Sequence, residues 1–265
     1  MMSFSQNPNK IKRYRIEADQ VCVDYNGTVA LYDASLKVNS GSICGLVGMN
    51  GAGKSTFFKA LMGFVRPSRG KIKINGLEVP KAQREQAVAY VPQSEGIDCS
   101  FPVSVWDVVM MGLYGSMNFL RIPRESDKRA VWNALERVDL LDLRRRPIGN
   151  LSGGQRKRAF LARAIAQRAS VLLLDEPFSG VDVPTEKLMS ELFLQFREEG
   201  RTILISTHDL GHVRDFCDLV VLINKTVLAY GETSEVFTRD NLNRTFGGPP
   251  PDPLFGTASS NEESF

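Results

Sequence analysis

The segment Gly48-Met49-Asn50-Gly51-Ala52-Gly53-Lys54-Ser55 places glycines, a lysine and a hydroxyl at the spacing of a Walker A phosphate loop. Glycines let backbone N–H groups turn toward phosphate oxygens, Lys54 reaches the terminal phosphates, and the Ser55 hydroxyl suits Mg²⁺. Such a loop must leave a strand and enter a helix. The apolar segment Ile43–Val47 and the helical pattern over 56–62, entered at Thr56, supply both. Gly48, Asn50, Gly51, Gly53, Lys54, Ser55 and Thr56 are therefore the candidate ligands of a nucleoside triphosphate.

Three downstream segments carry compatible chemistry. The continuous apolar run Val171-Leu172-Leu173-Leu174 reads as a strand buried on both faces, and it ends in Asp175 and Glu176. Ligands of parallel sheets gather at that end, so Asp175 suits Mg²⁺ and Glu176 suits polarising an attacking water. Two solvated acids at a strand end are the plainer reading, and the phosphate loop upstream favours the chemical one. Leu151-Ser152-Gly153-Gly154-Gln155 precedes a helical pattern that Ser152 can cap, while the glycines leave bare N–H groups at its start. One ATP needs only one such cradle, so a second implies nucleotides shared between two chains. Ser-Gly-Gly is also a common linker. Finally, the apolar segment Thr202–Thr207 runs into His208. His208 and His212 could share a helix face in a Zn²⁺ site, but the hydrolytic zinc pattern has Glu where this chain has Asp209. His212 reads as an exposed helix residue.

The order and position of these segments resemble the ATP-binding cassette (ABC) ATPases over about residues 15–245. The resemblance implies an α/β P-loop NTPase fold: a mainly parallel sheet, an antiparallel β edge and an inserted α-helical subdomain at about 94–167. The ATPase domain would span 15–246, between a disordered N-terminus (1–14) and a disordered tail (247–265). ATP and Mg²⁺ are the implied cofactors. Glu176 would be the general base, His208 a γ-phosphate contact, and Ser55, Gln93 and Asp175 the Mg²⁺ partners. Gln93 would also link that site to a transmembrane subunit, Tyr25 would stack on adenine, and Asp182, in Ser179-Gly180-Val181-Asp182, would bridge two sites. Two copies, head to tail, would each offer Ser152, Gly153, Gly154 and Gln155 to the other's nucleotide. Taken alone, Tyr25 is an ordinary core residue and Gln93 an ordinary surface turn; their order along the chain singles them out.

Phe101-Pro102-Val103-Ser104-Val105-Trp106-Asp107, with Gly112-Leu113-Tyr114-Gly115 and Phe178-Ser179-Gly180-Val181-Asp182, resembles the ATPases of bacterial importers for manganese, iron or zinc. That resemblance implies a peripheral subunit on the cytoplasmic face of the bacterial plasma membrane. It would power integral membrane permease subunits supplied by an extracytoplasmic metal-binding protein. Manganese is the first cargo, with iron or zinc the alternatives; no residue here would touch the ion. In the resembled family the region between Gln93 and Arg124, here Glu95 to Gly112, would dock a short helix of the permease, although Trp106 and Met110 fit internal packing equally well. A soluble cassette ATPase without a membrane partner, or an exporter, remains open.

Composition accords with this reading. At 265 residues and 29.4 kDa the chain can bury a full core. A net charge of +3, without a clustered basic patch, gives no reason to expect nucleic acid. Cys22, Cys44, Cys99 and Cys217 lack Cys-x-x-Cys spacing and suit reduced thiols. No apolar stretch is long enough to span a membrane, and residues 1–13 lack a signal-peptide core. Asn224-Lys225-Thr226-Val227 imitates a guanine-reading motif, but Val227 cannot accept the guanine hydrogen bonds, so it reads as a turn. The gap from Ser55 to Leu151 lacks the sustained heptads of DNA-repair cassette proteins. Alternating patterns at 21–24, 35–38 and 71–74 predict strands joined by turns such as Asn75-Gly76, and 126–138 predicts a helix with Ala130, Ala134 and Val138 on one face.

Overall fold

Two kinds of strand separate by their burial. β1 (Tyr14–Tyr25) and β2 (Thr28–Asn39) mix buried with exposed residues, as in a sheet with one wet face. β3 (Ile43–Val47) is buried throughout and leads into α1 (Lys54–Leu61). After these come β4 (Arg69–Ile74), β5 (Leu77–Glu78), α2 (Val79–Arg84) and β6 (Val88–Val91). Three helices follow, α3 (Val105–Met110), α4 (Glu125–Arg137) and α5 (Gly153–Ala166), then β7 (Val171–Asp175), α6 (Val183–Glu198) and β8 (Thr202–Thr207). The chain closes with α7 (Leu210–Phe216), β9 (Leu219–Asn224), β10 (Thr226–Glu232), α8 (Thr233–Val236) and α9 (Arg239–Phe246).

The computed structural model describes residues 14–93 and 102–248. The expected disordered ends and residues 94–101, with Cys99, otherwise lie outside that range. Two boundary expectations need correction: Tyr14 already belongs to β1, paired with Asn39, and Gly247 caps α9.

β2, β1, β4 and β5 form an antiparallel sheet in that order, while β10, β9, β3, β8, β7 and β6 form a second sheet, parallel except for β10. The side-chain period of two then divides the core. Ile43, Val47, Leu172, Leu174, Ile203 and Ile205 point to one cluster, which includes buried residues of α3 to α6. Cys44, Leu46, Leu173 and Leu204 point to the other, where Phe57, Phe58 and Leu61 of α1 meet the apolar face of the antiparallel sheet. The phosphate-loop helix is thus clamped between two sheets.

Sequence alternation locates only the last part of β1, because Gln20 takes a left-handed φ of 49° and the pairing with β2 shifts register between Ala18 and Val21. Such a bulge breaks the period of two without ending the strand. In α4, Val131, Ala134 and Leu135 form the buried face, Val138 closes it, and Ala130 sits at its edge. Burial raises the Cys44 thiol well above its ordinary range and, with help from Asp218, pushes Cys217 up to about 12, so both stay protonated.

The Asn75-Gly76 turn joins the sheets. Both residues have positive φ, 54° and 75°, as a tight hairpin requires. Asn75 donates from Nδ2 to Ser170 Oγ at 2.7 Å, next to the start of β7, and accepts from Arg15 at 3.0 Å. Asn75→Ala is expected to lose about 2 kcal/mol in denaturant unfolding, combining the left-handed penalty with a lost hydrogen bond. Asn75→Gly, which removes only the hydrogen bonds, is expected to lose less.

Candidate active site

Val47, Asp175 and Thr207 end the adjacent strands β3, β7 and β8 at one level, because Val47 pairs with Thr207 and Asp175 with Ser206. The loop after β3 is sterically committed to glycine at two points. A Cβ at Gly48 would lie 2.2 Å from the Ile223 carbonyl oxygen, and one at Gly53, where φ is 98°, would lie 2.8 Å from that of Ala30. Lys54 folds back over the loop, donating to the carbonyls of Gly48 (2.7 Å) and Met49 (3.1 Å). Burial lowers its pKa, while Glu176 and Asp175 pull the other way and favour the ammonium. Lys225 is indeed in a turn, with φ of 60°, and its N–H donates to the Ala52 carbonyl at 2.8 Å, bracing the loop from outside.

Asp175 is buried and its carboxylate is held by two hydroxyls, Tyr90 at 3.1 Å and Ser206. Burial first, and then Asp175, raise the Tyr90 pKa, which keeps its hydroxyl a donor. Glu176 has a left-handed backbone, φ 49°, and its N–H is shared between the carbonyl and hydroxyl oxygens of Ser206, each at 3.1 Å. Its carboxylate lies 2.9 Å from His208 Nδ1. From α5, Lys157 donates to the carbonyls of Glu176 (3.0 Å), Pro177 (3.3 Å) and Ser179.

A cavity of about 590 Å³ brings together Gly48, Asn50, Gly51, Gly53, Lys54, Ser55, Thr56, Gln93, Asp175, Glu176 and His208. Ala30, Met49 and Phe246 complete its lining. The first and last lie outside every motif and carry no sequence signal. Tyr90 and Lys157 were equally illegible, whereas Ser206, a hydroxyl in an otherwise apolar strand, was a readable hint.

Six expected ligands stand apart from that cavity. Tyr25 is 43% exposed at the end of β1 and does not line the cavity. Ser152 and Gln155 form a reciprocal cap on α5, at 3.2 Å and 3.0 Å, so the Gln155 side chain is occupied. Ser152 and Gly153 are exposed and, with Gly154 and Gln155, lie outside the cavity. Asp182 caps α6 by accepting from Thr185 N–H at 2.9 Å; hydrogen bonds from Thr185 lower its pKa.

One side-chain expectation is corrected, and one open alternative is settled. His212 is not an exposed helix residue. Its ring lies 4.2 Å from that of Phe178 and Nδ1 is 3.4 Å from Glu186. Met110 is interior, 4% exposed, because α3 turns Val105, Val108, Val109 and Met110 into the helical core. Trp106 is half-buried beside Trp132 and Arg144. Among the described residues of the expected docking stretch, the exposed large apolar side chains include Met111, Phe119, Leu120 and Ile122. Among the described residues, no three His, Cys, Asp or Glu side chains form a metal cluster, and no helix is long and apolar enough to cross a membrane.

Comparison with known proteins agrees with this geometry. The sequence profile of the ABC transporter family matches residues 31–179. The chain is 57% identical to the manganese transport system ATP-binding protein MntA of Synechocystis sp., covering 91% of this chain and 93% of that one. It is 56% identical to the chelated iron transport system protein YfeB of Yersinia pestis, covering 89% and 80%. A metal-chelate type ABC transporter solved in an inward-facing conformation superposes with a TM-score of 0.78 at 30% identity, over 89% of this chain and 90% of that one. With its phosphate loop, paired acids and histidine converging on one cavity, this chain belongs to the ABC transporter family, as an ATP-hydrolysing subunit.

Proposed function

We propose that this chain powers import of a divalent transition metal, manganese first, through a separate membrane permease. The observation that carries the reading is the cavity in which Lys54, Ser55, Asp175, Glu176 and His208 face one space. The chain's identity with the manganese relative supports that cargo, and iron, supported by the chelated-iron relative, and zinc are the alternatives.

Phosphoryl transfer to water asks mainly for positioning and charge. Loop N–H groups at residues 48–55 would hold the phosphates, and Lys54 would exchange its carbonyl partners for phosphate oxygens. Glu176 would orient and deprotonate water, a role supported by His208 lying 2.9 Å from its carboxylate. The donor set suits Mg²⁺: the Asp175 carboxylate and the Ser55 hydroxyl are hard oxygens on one cavity, and this ion commonly takes few protein oxygens and completes its shell with water and phosphate. When bound, it would neutralise charge on the phosphate oxygens. Gln93 would approach it from the cavity's rim, and the half-exposed Tyr25 ring would cover the base.

Ser152–Gln155 and Asp182 lie off this cavity, which supports a head-to-tail pair in which each chain completes the other's site. The bare N–H groups at the start of α5 would face the partner's γ-phosphate. Closure on ATP would then move the attached permease. The exposed apolar residues Met111, Phe119, Leu120 and Ile122 support a docking surface between Gln93 and Arg124. An extracytoplasmic metal-binding protein would deliver the ion, with this subunit at the cytoplasmic face of the plasma membrane.

Glu176→Gln is expected to retain Mg·ATP binding, lose about 10²- to 10³-fold in turnover, and accumulate closed dimers in sedimentation. Rapid steady turnover would refute the base assignment. Cells deleted for the gene, or carrying Glu176→Gln, are expected to lose uptake of trace radioactive manganese selectively over iron and zinc. Unchanged uptake of all three would remove the metal assignment. Phe119→Glu with Leu120→Glu is expected to leave ATP binding intact and abolish co-purification with the permease.

A further inference from the structure

Lys157 is 6% exposed, on the helix that begins at Ser152, and its ammonium is directed at the backbone carbonyls of Glu176, Pro177 and Ser179. A buried ammonium is retained only where dipoles or charges replace its water. Here those dipoles belong to the turn that carries Glu176. That turn is also fixed from its other side, since the Glu176 N–H is held by both oxygens of Ser206, two residues before His208. Between these anchors Glu176 adopts φ of 49°, a conformation a β-carbon disfavours by about 1 to 2 kcal/mol. Strain of this kind persists only where surrounding contacts over-determine the backbone.

We propose that Lys157 is a positioning residue for hydrolysis. It holds the Glu176 peptide in its left-handed conformation and so sets where the carboxylate points. Because it lies one turn into α5, it also joins the exposed Ser152-Gly153 start of that helix to the catalytic turn of the same chain. A tilt of α5 when its N-terminus meets a nucleotide is therefore delivered to Glu176 through one ammonium. Lys157 does not line the nucleotide cavity, and it acts on hydrolysis through the turn that carries Glu176. The inference rests on Glu176 being the base.

The test is a double-mutant cycle on the full chain with Mg·ATP, pairing Lys157→Met with Glu176→Gln. Lys157→Met keeps the aliphatic stem and removes the donors. It is expected to lower kcat by between about 10- and 100-fold, as small displacements of a catalytic group do, while the KM for ATP and the binding of a fluorescent ATP analogue hold. In the Glu176→Gln background the same change is expected to cause no further loss in single-turnover hydrolysis. Lys157→Gln, which restores two N–H donors, is expected to recover an intermediate kcat, and it serves as the cycle's partner if the Met variant fails to fold. Unchanged kcat in a folded variant, a loss that multiplies fully with that of Glu176→Gln, or a rise in KM without loss of kcat would each overturn the proposal. If Glu176→Gln itself turns over normally, the base assignment has failed instead, and the two failures remain distinct.

Discussion

Parallel pairing of β3, β8 and β7 is the constraint on which the rest of this molecule depends. Each strand is buried on both faces, so nothing polar can be placed along its length without a partner. Functional groups are therefore driven to the carboxyl ends, and the register brings Val47, Thr207 and Asp175 level. The phosphate loop, the acids and His208 are continuations of these strands. Their proximity is a consequence of backbone hydrogen bonding before any side chain is considered.

The two cores maintain this arrangement in different ways. On one side α1 is clamped by the antiparallel sheet through Phe57 and Phe58, so the phosphate loop enters a rigid helix. On the other, α5 packs against the same strands while presenting Ser152 to solvent. One face thus fixes the nucleotide's cradle, and the opposite face carries the helix start proposed to meet a second chain. Asp175 sits at the seam, with Tyr90 of β6 and Ser206 of β8 holding its carboxylate.

What could be read from the chain follows from how local each requirement is. A phosphate cradle needs glycines at fixed offsets, so Gly48, Gly51, Gly53, Lys54 and Ser55 declare themselves within eight residues. Buried parallel strands declare themselves as unbroken apolar runs, which located β3, β7 and β8. Ala30 and Phe246 reach the cavity from β2 and α9, and only the tertiary fold could reveal them. Met110 and Trp106 share apolar spacing, yet one is interior and the other borders a groove, a distinction set by which elements cover α3. His212 looked solvent-facing because its four-residue offset from His208 says nothing of Phe178, which packs on it from the turn after β7.

The left-handed backbone at Glu176 has a consequence for how this chain can change over generations. Glycine, or to a lesser degree asparagine, relieves such a conformation, so selection for thermal stability alone would draw position 176 toward them and away from the carboxylate. With Glu176 as the base proposed above, stability and turnover are opposed at this one residue. Glutamate survives there only under continued demand for hydrolysis, and a lineage released from that demand would be free to trade the acid for a relaxed turn.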